Sequence, residues 1–328
     1  MCWGVNFDGQ LGNGSNTDSL FAVPVSGLES DVVAVGAGSL FTCALTTAGG
    51  VKCWGINGDG ALGNNSTIAS AIPIDPIGLE TGVVALSVGY THACVLTAAG
   101  GVKCWGNNSA GQLGDGTQTY RGAPFDVAGL TSGVIAISAG RNHSCAVTDV
   151  GGVKCWGENS SGQLGNNSIV DSFFPVDVSG LSGVKSLSVA LNLSCALTID
   201  GSVKCWGNVI GDAGSHLTPA NMTGWQSGVT AISTGDSFAC ALLNGSGIQC
   251  VGGNFNGALG DGTNITTTTP VNVSGLASGA IAVSAGDGHA CAKTIDGEVK
   301  CWGVNQFGQL GNNSKINSNV PVNVISAP

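Results

Sequence analysis

A short motif returns along this chain at a nearly constant interval. Cys-Trp-Gly begins at residues 2, 53, 104, 155, 205 and 301, and a degenerate Cys-Val-Gly begins at residue 250. Successive motifs are therefore 51, 51, 51, 50, 45 and 51 residues apart. A fixed period of this length is typical of a repeated supersecondary unit that buries its apolar face only by packing against its neighbours.

Each repeat contains four short segments with the composition of β-strands, which we call A, B, C and D. In one repeat they are Val83–Val88, His92–Thr97, Gly101–Gly106 and Ala123–Val127. Stretches rich in Gly, Asn, Asp and Ser separate them, as tight turns require. A chain with 55 glycines and many β-branched residues is therefore expected to be all-β, with four antiparallel strands in each repeat.

Segment D carries a proline in every repeat, and proline cannot donate a hydrogen bond to a neighbouring strand. These prolines are Pro24, Pro73, Pro124, Pro175, Pro219, Pro270 and Pro321. Segment A is rich in Ala, Ser, Val and Gly, which suits a crowded position near the axis of a ring. We therefore expect the order A, B, C, D from the inside of each repeat to its outer edge.

The recurring patterns G-V-K-C-W-G-x-N-x-x-G-Q-L-G and G-x-x-H-x-C-A-L-T resemble the regulator of chromosome condensation repeat family over essentially the whole chain. The resemblance implies a seven-bladed β-propeller, whereas the period alone indicates only repeated four-stranded units. Extracytoplasmic bacterial members of the family include surface repeat proteins and a secreted propeller inhibitor of β-lactamase. No contact set of that inhibitor matches this sequence residue by residue.

The chain is expected to form a single propeller domain over residues 1–328. Its parts are an outer half-blade at 1–28 and blades at 31–78, 82–129, 133–180, 183–224, 228–275 and 279–325, of which 183–224 is irregular. Residues 1–28 supply only strands C and D, so the first blade is incomplete and six and a half blades are present. We expect its A and B strands, with a signal peptide, upstream of Met1. A six-bladed ring with an appended N-terminal ribbon is the alternative.

Twelve of the thirteen cysteines form pairs ten residues apart, each joining strand B to strand C. The pairs are Cys43 with Cys53, Cys94 with Cys104, Cys145 with Cys155, Cys195 with Cys205, Cys240 with Cys250, and Cys291 with Cys301. Opposed residues of an antiparallel hairpin come close enough for a disulfide, which favours an oxidising compartment. Reduced buried cysteines and a thiolate metal site are the alternatives, although the spacing does not match zinc motifs. Cys2 remains unpaired.

The overall charge argues against some classes of partner. The formal net charge is −10, without runs of either sign, so the chain would repel a nucleic-acid backbone. No apolar stretch is long enough to span a membrane, and no export signal follows Met1. We therefore expect no nucleic-acid partner and no membrane insertion, in a protein that is a monomer or part of a longer chain.

Candidate catalytic and metal-binding residues have simpler structural interpretations. His92, His143 and His289 occupy a strand B position that other repeats fill with Phe or Leu, which indicates packing. The Trp and Lys of strand C recur at the same positions of most repeats. This indicates tryptophans that pack in the core and lysines whose alkyl stems pack along the neighbouring blade. Trp225 falls outside the motif. Asp8, Asp59, Asp115 and Asp261 lack the rhythm of calcium loops, and the loop glycines read as turn residues. We expect no cofactor, no metal and no catalytic residues.

The turns between strands A and B are the most variable part of the repeat, and they should lie near the axis on one face. The candidate partner-binding residues there are Leu40, Tyr90, Arg141, Asn142, Leu191, Asn192, Asp236 and Asp287. Unlike side chains on a repeated frame are how a propeller presents a specific surface. Unconstrained variation of exposed turns is the alternative. The irregular repeat, which has lost the Gly-Gln-Leu-Gly loop, marks one sector as different.

Three functions are compatible with these features. The leading hypothesis is a non-catalytic secreted or cell-surface module that presents one propeller face to a protein or glycan. The second is guanine nucleotide exchange on a small GTPase, which the family resemblance implies. Six disulfides do not suit the thiol-reducing nucleus in which such a protein would act. The third is a polysaccharide-acting enzyme that uses Asp236 and Asp287 as paired carboxylates.

Overall fold

The computed structural model describes residues 1–209 and 215–326 and confirms an all-β propeller built from four-stranded antiparallel blades. Six blades are complete, and a two-stranded sheet marks the incomplete first blade. We call this sheet the half-blade and number the complete blades 1 to 6 in chain order. Over the described ranges, no helix has the length and apolar character needed to cross a membrane.

The strands follow the chain order within every sheet. The half-blade comprises β1 (Cys2–Gly4) and β2 (Ser19–Val23). Blade 1 comprises β3 (Val32–Ala37), β4 (Phe41–Thr46), β5 (Val51–Gly55) and β6 (Ser70–Ile74). Blade 2 comprises β7 (Val83–Val88), β8 (His92–Thr97), β9 (Val102–Gly106) and β10 (Arg121–Asp126). Blade 3 comprises β11 (Val134–Ala139), β12 (His143–Thr148), β13 (Val153–Gly157) and β14 (Ser172–Asp177).

The remaining three blades repeat the pattern. Blade 4 comprises β15 (Val184–Val189), β16 (Leu193–Thr198), β17 (Val203–Gly207) and β18 (His216–Asn221). Blade 5 comprises β19 (Val229–Thr234), β20 (Phe238–Leu243), β21 (Ile248–Gly252) and β22 (Thr267–Asn272). Blade 6 comprises β23 (Ala280–Ala285), β24 (His289–Thr294), β25 (Val299–Gly303) and β26 (Ser318–Asn323). In each complete blade the proline-containing strand D forms one edge of the sheet, as its missing N–H predicts, whereas Pro24 lies just after β2 of the half-blade.

Strands B and C form the buried centre of each blade. In blade 1, Cys43 lies directly opposite Cys53, and a disulfide joins them with their Cα atoms 4.1 Å apart. The same register and the same bond recur in blades 2 to 6, so the structure joins the twelve cysteines in the six predicted pairs. Cys2 is the free cysteine.

The tryptophan of strand C fixes five of the six complete blades to the sheet before them, whereas blade 5 has Val251 at that position. The Trp156 indole is fully buried, and its Nε1 donates a hydrogen bond of 2.8 Å to the Gln112 carbonyl in the C–D loop of blade 2. Trp54, Trp105, Trp206 and Trp302 make the equivalent bond at other boundaries. Trp3 of the half-blade bonds to the Gln309 carbonyl of blade 6 at 2.8 Å, so the half-blade occupies a blade position between blades 6 and 1.

A buried asparagine organises the C–D loop. The Asn108 side chain accepts from the Leu113 amide at 3.0 Å, and its Nδ2 donates to the Thr117 and Thr119 carbonyls at 3.0 and 3.1 Å. Asn6, Asn57, Asn159, Asn254 and Asn305 are buried in the same way in other C–D loops. Blade 4 has Val209 at this point in the repeat, just before residues 210–214, where part of the irregular sequence lies outside the described residues.

Trp225 has a core role that its position in the sequence did not indicate. It is 1% exposed and packs in the core shared by blades 4 and 5, where its Nε1 donates to the Gln249 Oε1 at 3.3 Å. Other repeats place a leucine after the same glycine, including Leu79, Leu130 and Leu276. Trp225 is therefore a larger core residue in the repeat that lacks the usual C–D loop.

Candidate functional site

The A–B turns meet around the axis of the ring at one end of a cavity of about 1110 Å³. One side chain from each complete blade lines the cavity there, and we call this set the channel mouth. It consists of Leu40, Tyr90, Arg141, Leu191, Asp236 and Asp287. Six of the eight candidate residues from the sequence are thus brought together.

The backbone of the channel mouth is held by hydrogen bonds that do not depend on these side chains. The amide of Ser39 donates to the Tyr90 carbonyl at 2.9 Å, and the Tyr90 amide donates to the Gly140 carbonyl at 3.1 Å. The Arg141 and Asp236 amides make similar bonds to Ala190 and Asp287, at 3.3 and 3.4 Å. Because backbone groups make these links, the side chains of the turns are free to differ between blades.

Close approach of neighbouring turns explains the glycine that precedes most of them. A Cβ atom at Gly89 would lie 2.3 Å from the Gly140 carbonyl oxygen and 2.5 Å from the His92 ring. Such contacts are well inside van der Waals distance, so a side chain would separate blades 2 and 3. The glycine before five of the six turns is the sequence signal for this close packing, and blade 4 has Ala190 in its place.

One side of the channel mouth is basic and aromatic. The Arg141 guanidinium lies over the Tyr90 ring, with its Cζ 5.0 Å from the ring centroid. A guanidinium at this distance is attracted by the face of the ring. Blades 2 and 3 therefore present a cation whose position is set by its aromatic neighbour.

The opposite side is acidic. Asp236 and Asp287 occupy equivalent turns of adjacent blades, with their backbones joined as described above. Partial burial in the cavity, together with the negative charge of Asp287, raises the pKa of Asp236 to about 6, and Arg141 opposes this shift. Two neighbouring carboxylates thus share a site in which one of them resists ionisation.

Asn142 and Asn192 do not belong to the cavity wall. The Asn142 Nδ2 donates to the Glu158 carboxylate at 3.0 Å, and the Asn192 Oδ1 accepts from the Gln163 Nε2 at 3.2 Å. Both side chains hold C–D loops in place. In blades 3 and 4 the second residue of the turn therefore supports the frame and the first faces the axis, whereas in blade 1 the second residue, Leu40, lines the cavity.

His92 and His143 are buried between blades and lie away from the channel mouth. Their rings are 0% exposed, and each Nε2 lies 2.8 Å from a serine hydroxyl of the next blade. Burial lowers the pKa of His92 to about 4 and that of His143 to about 3. These neutral rings are structural, whereas His289 lines the cavity.

The repeated lysines of strand C form surface pairs with strand D. Lys103 and Lys154 each lie 2.6 Å from an aspartate carboxylate, Asp126 and Asp177 respectively. Sequence reasoning missed these partners, although each stands two residues after the strand D proline. Within residues 1–209 and 215–326, no group of three or more His, Cys, Asp or Glu side chains is placed to hold a metal ion.

Models of the regulator of chromosome condensation (RCC1) repeat match most of the chain. One matches residues 2–45, 99–147, 151–197, 250–292 and 296–328, and a second matches residues 32–61, 83–112, 134–163 and 280–309.

Curated relatives align with about half of this chain. The chain is 31% identical over 183 residues to the ultraviolet-B receptor UVR8 of Arabidopsis thaliana, which covers 55% of this chain and 42% of the receptor. It is 31% identical over 184 residues to RCC1 domain-containing protein RUG3, mitochondrial, of the same plant, covering 53% and 41%. It is also 33% identical over 171 residues to human E3 ubiquitin-protein ligase HERC2, covering 51% and 4%. The chain thus spans less than half the length of each of these relatives.

Solved structures share the fold over nearly the whole chain. Human WBSCR16 superposes with a TM-score of 0.83 at 23% identity, covering 98% of this chain and 92% of its own. Yeast RCC1 (Prp20) in complex with Kap60 superposes with a TM-score of 0.87 at 20% identity, covering 99% and 83%. A structure of Prp20p from Saccharomyces cerevisiae, described with its binding to Gsp1p and histones, gives 0.86 at 20% identity, covering 99% and 85%.

Proposed function

Since this chain belongs to the regulator of chromosome condensation repeat family, we propose that it is a non-catalytic interaction module whose channel mouth binds a protein partner. One observation carries the proposal: six side chains of four different kinds converge on turns whose backbone is otherwise repeated from blade to blade. Fixed backbone with variable side chains is the arrangement by which repeat scaffolds acquire specific binding surfaces.

The charges of the channel mouth indicate what the partner must present. Arg141, held over Tyr90, offers a cation to a carboxylate, and Asp236 with Asp287 offers anionic groups to a lysine or arginine. Leu40 and Leu191 separate these two sides with apolar surface. A protein segment that carries both signs of charge around an apolar residue fits this arrangement.

The relatives support a protein as the partner. Yeast Prp20 is described in complex with Kap60, and its binding to Gsp1p and histones is described with its structure. Nucleotide exchange on a small GTPase is therefore retained as an activity to be tested.

The six disulfides favour a compartment in which they persist. Disulfides form in secreted and cell-surface proteins, whereas cytosolic and nuclear thiols are kept reduced. We propose an extracellular or cell-surface location on this ground. Intact mass of protein from its native source, after free thiols have been alkylated, tests it: six intact disulfides are expected, and twelve or more alkylated cysteines would contradict the proposal.

Binding at the channel mouth is tested by chemical cross-linking in the extracellular material of the source cells, which captures the partner for identification. The variants are Arg141→Glu and Asp236→Asn. Lys185→Glu and Asp296→Asn are matched controls, because both residues lie away from the A–B turns. Lys185 is near the start of strand A, toward the opposite face of the propeller, and Asp296 lies in a B–C turn. Once the partner is identified, we expect the two mouth variants to weaken its binding at least about tenfold, as for charge pairs at an interface. The controls should bind like the wild type.

Other outcomes identify the alternatives. Loss of binding in the controls but not in the mouth variants would place the interface on the opposite face. A glycan that competes with wild-type binding, and fails to bind the mouth variants, would replace the protein partner. Accelerated nucleotide release from a small GTPase, or polysaccharide cleavage that Asp236→Asn abolishes, would overturn the non-catalytic assignment.

A further inference from the structure

The ring has an open sector beside the half-blade. In each complete blade strand C pairs with strands B and D, but β1 pairs only with β2, and its inner edge has no strand partner in the part of the chain that the structure describes. The cavity extends into this sector, where Cys2, Val35, His289 and Cys291 line it. Val35 is 58% exposed, whereas the same strand A position in blades 2 to 6 is half-buried.

The outer part of this sector is built like any other blade. Trp3 reaches the Gln309 carbonyl, and the Asn313 amide donates to the Leu20 carbonyl at 2.9 Å, as the Asn167 amide donates to Leu217 at another boundary. On the other side, Trp54 of blade 1 bonds to the Gln10 carbonyl at 2.8 Å. The space inside β1 therefore has the position and neighbours of a strand A and strand B hairpin.

Side chains across each blade boundary follow a pairing rule. His92 and His143 each face a serine of the next blade, Ser144 and Ser194, at 2.8 Å. Where the strand B position holds Phe or Leu, the facing residue is alanine. Those pairs share one core cluster each: Phe41 with Ala93, Leu193 with Ala239, and Phe238 with Ala290.

The serine has a defined role in this pair. Ser144 donates its hydroxyl hydrogen to the Gln112 carbonyl at 3.0 Å, so its oxygen accepts from the Nε2–H of His92. Ser194 makes the same bond to the Gln163 carbonyl at 2.8 Å. The carbonyl in each case also accepts from the strand C tryptophan of the serine's own blade.

His289 is the equivalent strand B histidine of blade 6, and it faces the open sector. It belongs to blade 6, and no hydrogen bond joins its ring to another described residue. The matching carbonyl is present, because the Gln309 oxygen accepts from Trp3 as the Gln112 oxygen accepts from Trp156. Two of the three groups of the histidine–serine–carbonyl arrangement are therefore in place, and only the serine is missing.

Cys2 indicates which residue would follow the serine in a strand that fills the open sector. In every complete blade the strand C cysteine faces a strand B cysteine, and Cys2 is the strand C cysteine of the half-blade. Ser144 and Ser194 immediately precede the strand B cysteines of their blades. A serine opposite His289 and a cysteine opposite Cys2 therefore belong side by side in one strand.

We propose that the open sector binds a two-stranded β-hairpin of this repeat type whose second strand carries adjacent Ser and Cys. The serine hydroxyl accepts from His289 and donates to the Gln309 carbonyl, and the cysteine forms a disulfide with Cys2. Lys293 replaces the Leu or Val that blades 1 to 5 have at its position, so that end of the hairpin stays in water. This inference is independent of the partner proposed for the channel mouth.

A peptide with the sequence of residues 133–150 tests the inference, because it contains strands A and B of blade 3 with Ser144 and Cys145. The peptide is supplied with its cysteine as a mixed disulfide with glutathione. The Cys2 thiolate attacks the peptide sulfur, the peptide–glutathione bond breaks, and glutathione leaves as the thiol, so no other oxidant is needed. Intact mass measures the rate of the one-to-one adduct, and Cys2→Ser protein should form none.

The role of the serine is tested by changing Ser144 of the peptide and His289 of the protein in turn. Wild-type protein should couple to the peptide about fivefold faster than to its Ser144→Ala form, as expected for one buried hydrogen bond. In His289→Phe protein the preference should reverse, because Phe faces Ala at other boundaries. Equal rates for both peptides, or for a scrambled peptide that keeps its cysteine, would show unselective thiol exchange and overturn the proposal. A protein dimer linked through Cys2 without peptide would assign the sector to a second copy.

A tethered form removes the cost of ordering a free peptide, since an isolated hairpin is marginally stable. Residues 133–154 are joined directly ahead of Cys2, which restores the ten-residue separation of the cysteines. We expect a seventh disulfide by intact mass and a Tm above that of the original chain, with a smaller rise for the Ser144→Ala form. Free thiols at both cysteines and an unchanged Tm would refute the inference whatever the peptide does.

Discussion

Acid should destabilise this propeller through two buried histidines. The rings of His92 and His143 are completely buried, and each has one nitrogen, Nδ1, without a hydrogen-bond partner in the structure. Burial lowers the pKa of His92 to about 4 and, together with the charge of His92, lowers that of His143 to about 3. In the unfolded chain both rings would titrate near the ordinary histidine pKa of about 6.5.

The sign and size of the effect follow from these values. Because the unfolded chain takes up the protons first, the free energy of unfolding is unaffected above about pH 6.5 and falls as the pH drops toward 4 and 3. At pH 4.5 the unfolded histidines are protonated and the folded ones are still largely neutral. Each ring then costs about 2.5 kcal/mol of stability, and the two together cost about 5 kcal/mol.

Urea unfolding at pH 7 and pH 4.5 measures this loss. Replacing one pair by the pair of the next boundary, His143→Leu with Ser194→Ala, copies Leu193 with Ala239 and should remove about 2.5 kcal/mol of the difference between the two pH values. Phe238→Leu is the matched control: it changes the same strand B position without a titratable group and should retain the full difference. If the paired variant loses as much stability in acid as the wild type, the reasoning from buried neutral histidines is wrong.

Three further predictions concern separate parts of the molecule. Asn108→Ala should lower the free energy of unfolding by about 3 kcal/mol, because the buried groups that it bonds lose their partners; Gln118→Ala, in the same loop but exposed, should change it little, and urea unfolding compares them. Lys103→Met should cost less than about 1 kcal/mol in the same assay, since its ion pair with Asp126 is exposed. Difference titration of wild type against Asp236→Asn should show uptake of about one proton centred near pH 6, as the raised pKa of Asp236 implies; uptake centred near pH 4 would contradict the arrangement of the two aspartates.

The strands nearest the axis were predictable from the sequence, and the outer strand was predicted less well. In blade 2, strands A and B begin and end where strand composition and the flanking turn residues placed them, at Val83–Val88 and His92–Thr97. Strand D was expected at Ala123–Val127 but spans Arg121–Asp126, because the ladder continues past a register shift to pair Arg121 with Gly106. The same pairing recurs in blades 3 and 5, where Ser172 pairs with Gly157 and Thr267 with Gly252, so the shared register of the blades sets this boundary.

The candidate site was predicted in the same partial way. The variability of the A–B turns indicated which residues to consider, but it did not separate the two residues of each turn. Arg141 faces the axis and Asn142 binds Glu158 in the C–D loop, so in this turn one residue faces the cavity and the other supports the frame. The histidine–serine pairs were also missed, because their partners stand about 51 residues apart and meet only when the blades stack.

The A–B turns and the strand B positions at the blade boundaries tolerate amino-acid substitution differently. At the channel mouth the links between blades are backbone hydrogen bonds, so a side chain can change without a matching change next door. Between strands B the link is a pair of side chains, so His requires Ser and Phe requires Ala. An exchange at His289 therefore requires a matching exchange in whatever fills the open sector, whereas an exchange at Leu191 requires one only in the proposed partner. Variation between repeats thus fits the proposed binding at the turns, and at the blade boundaries it follows the packing of neighbouring strands.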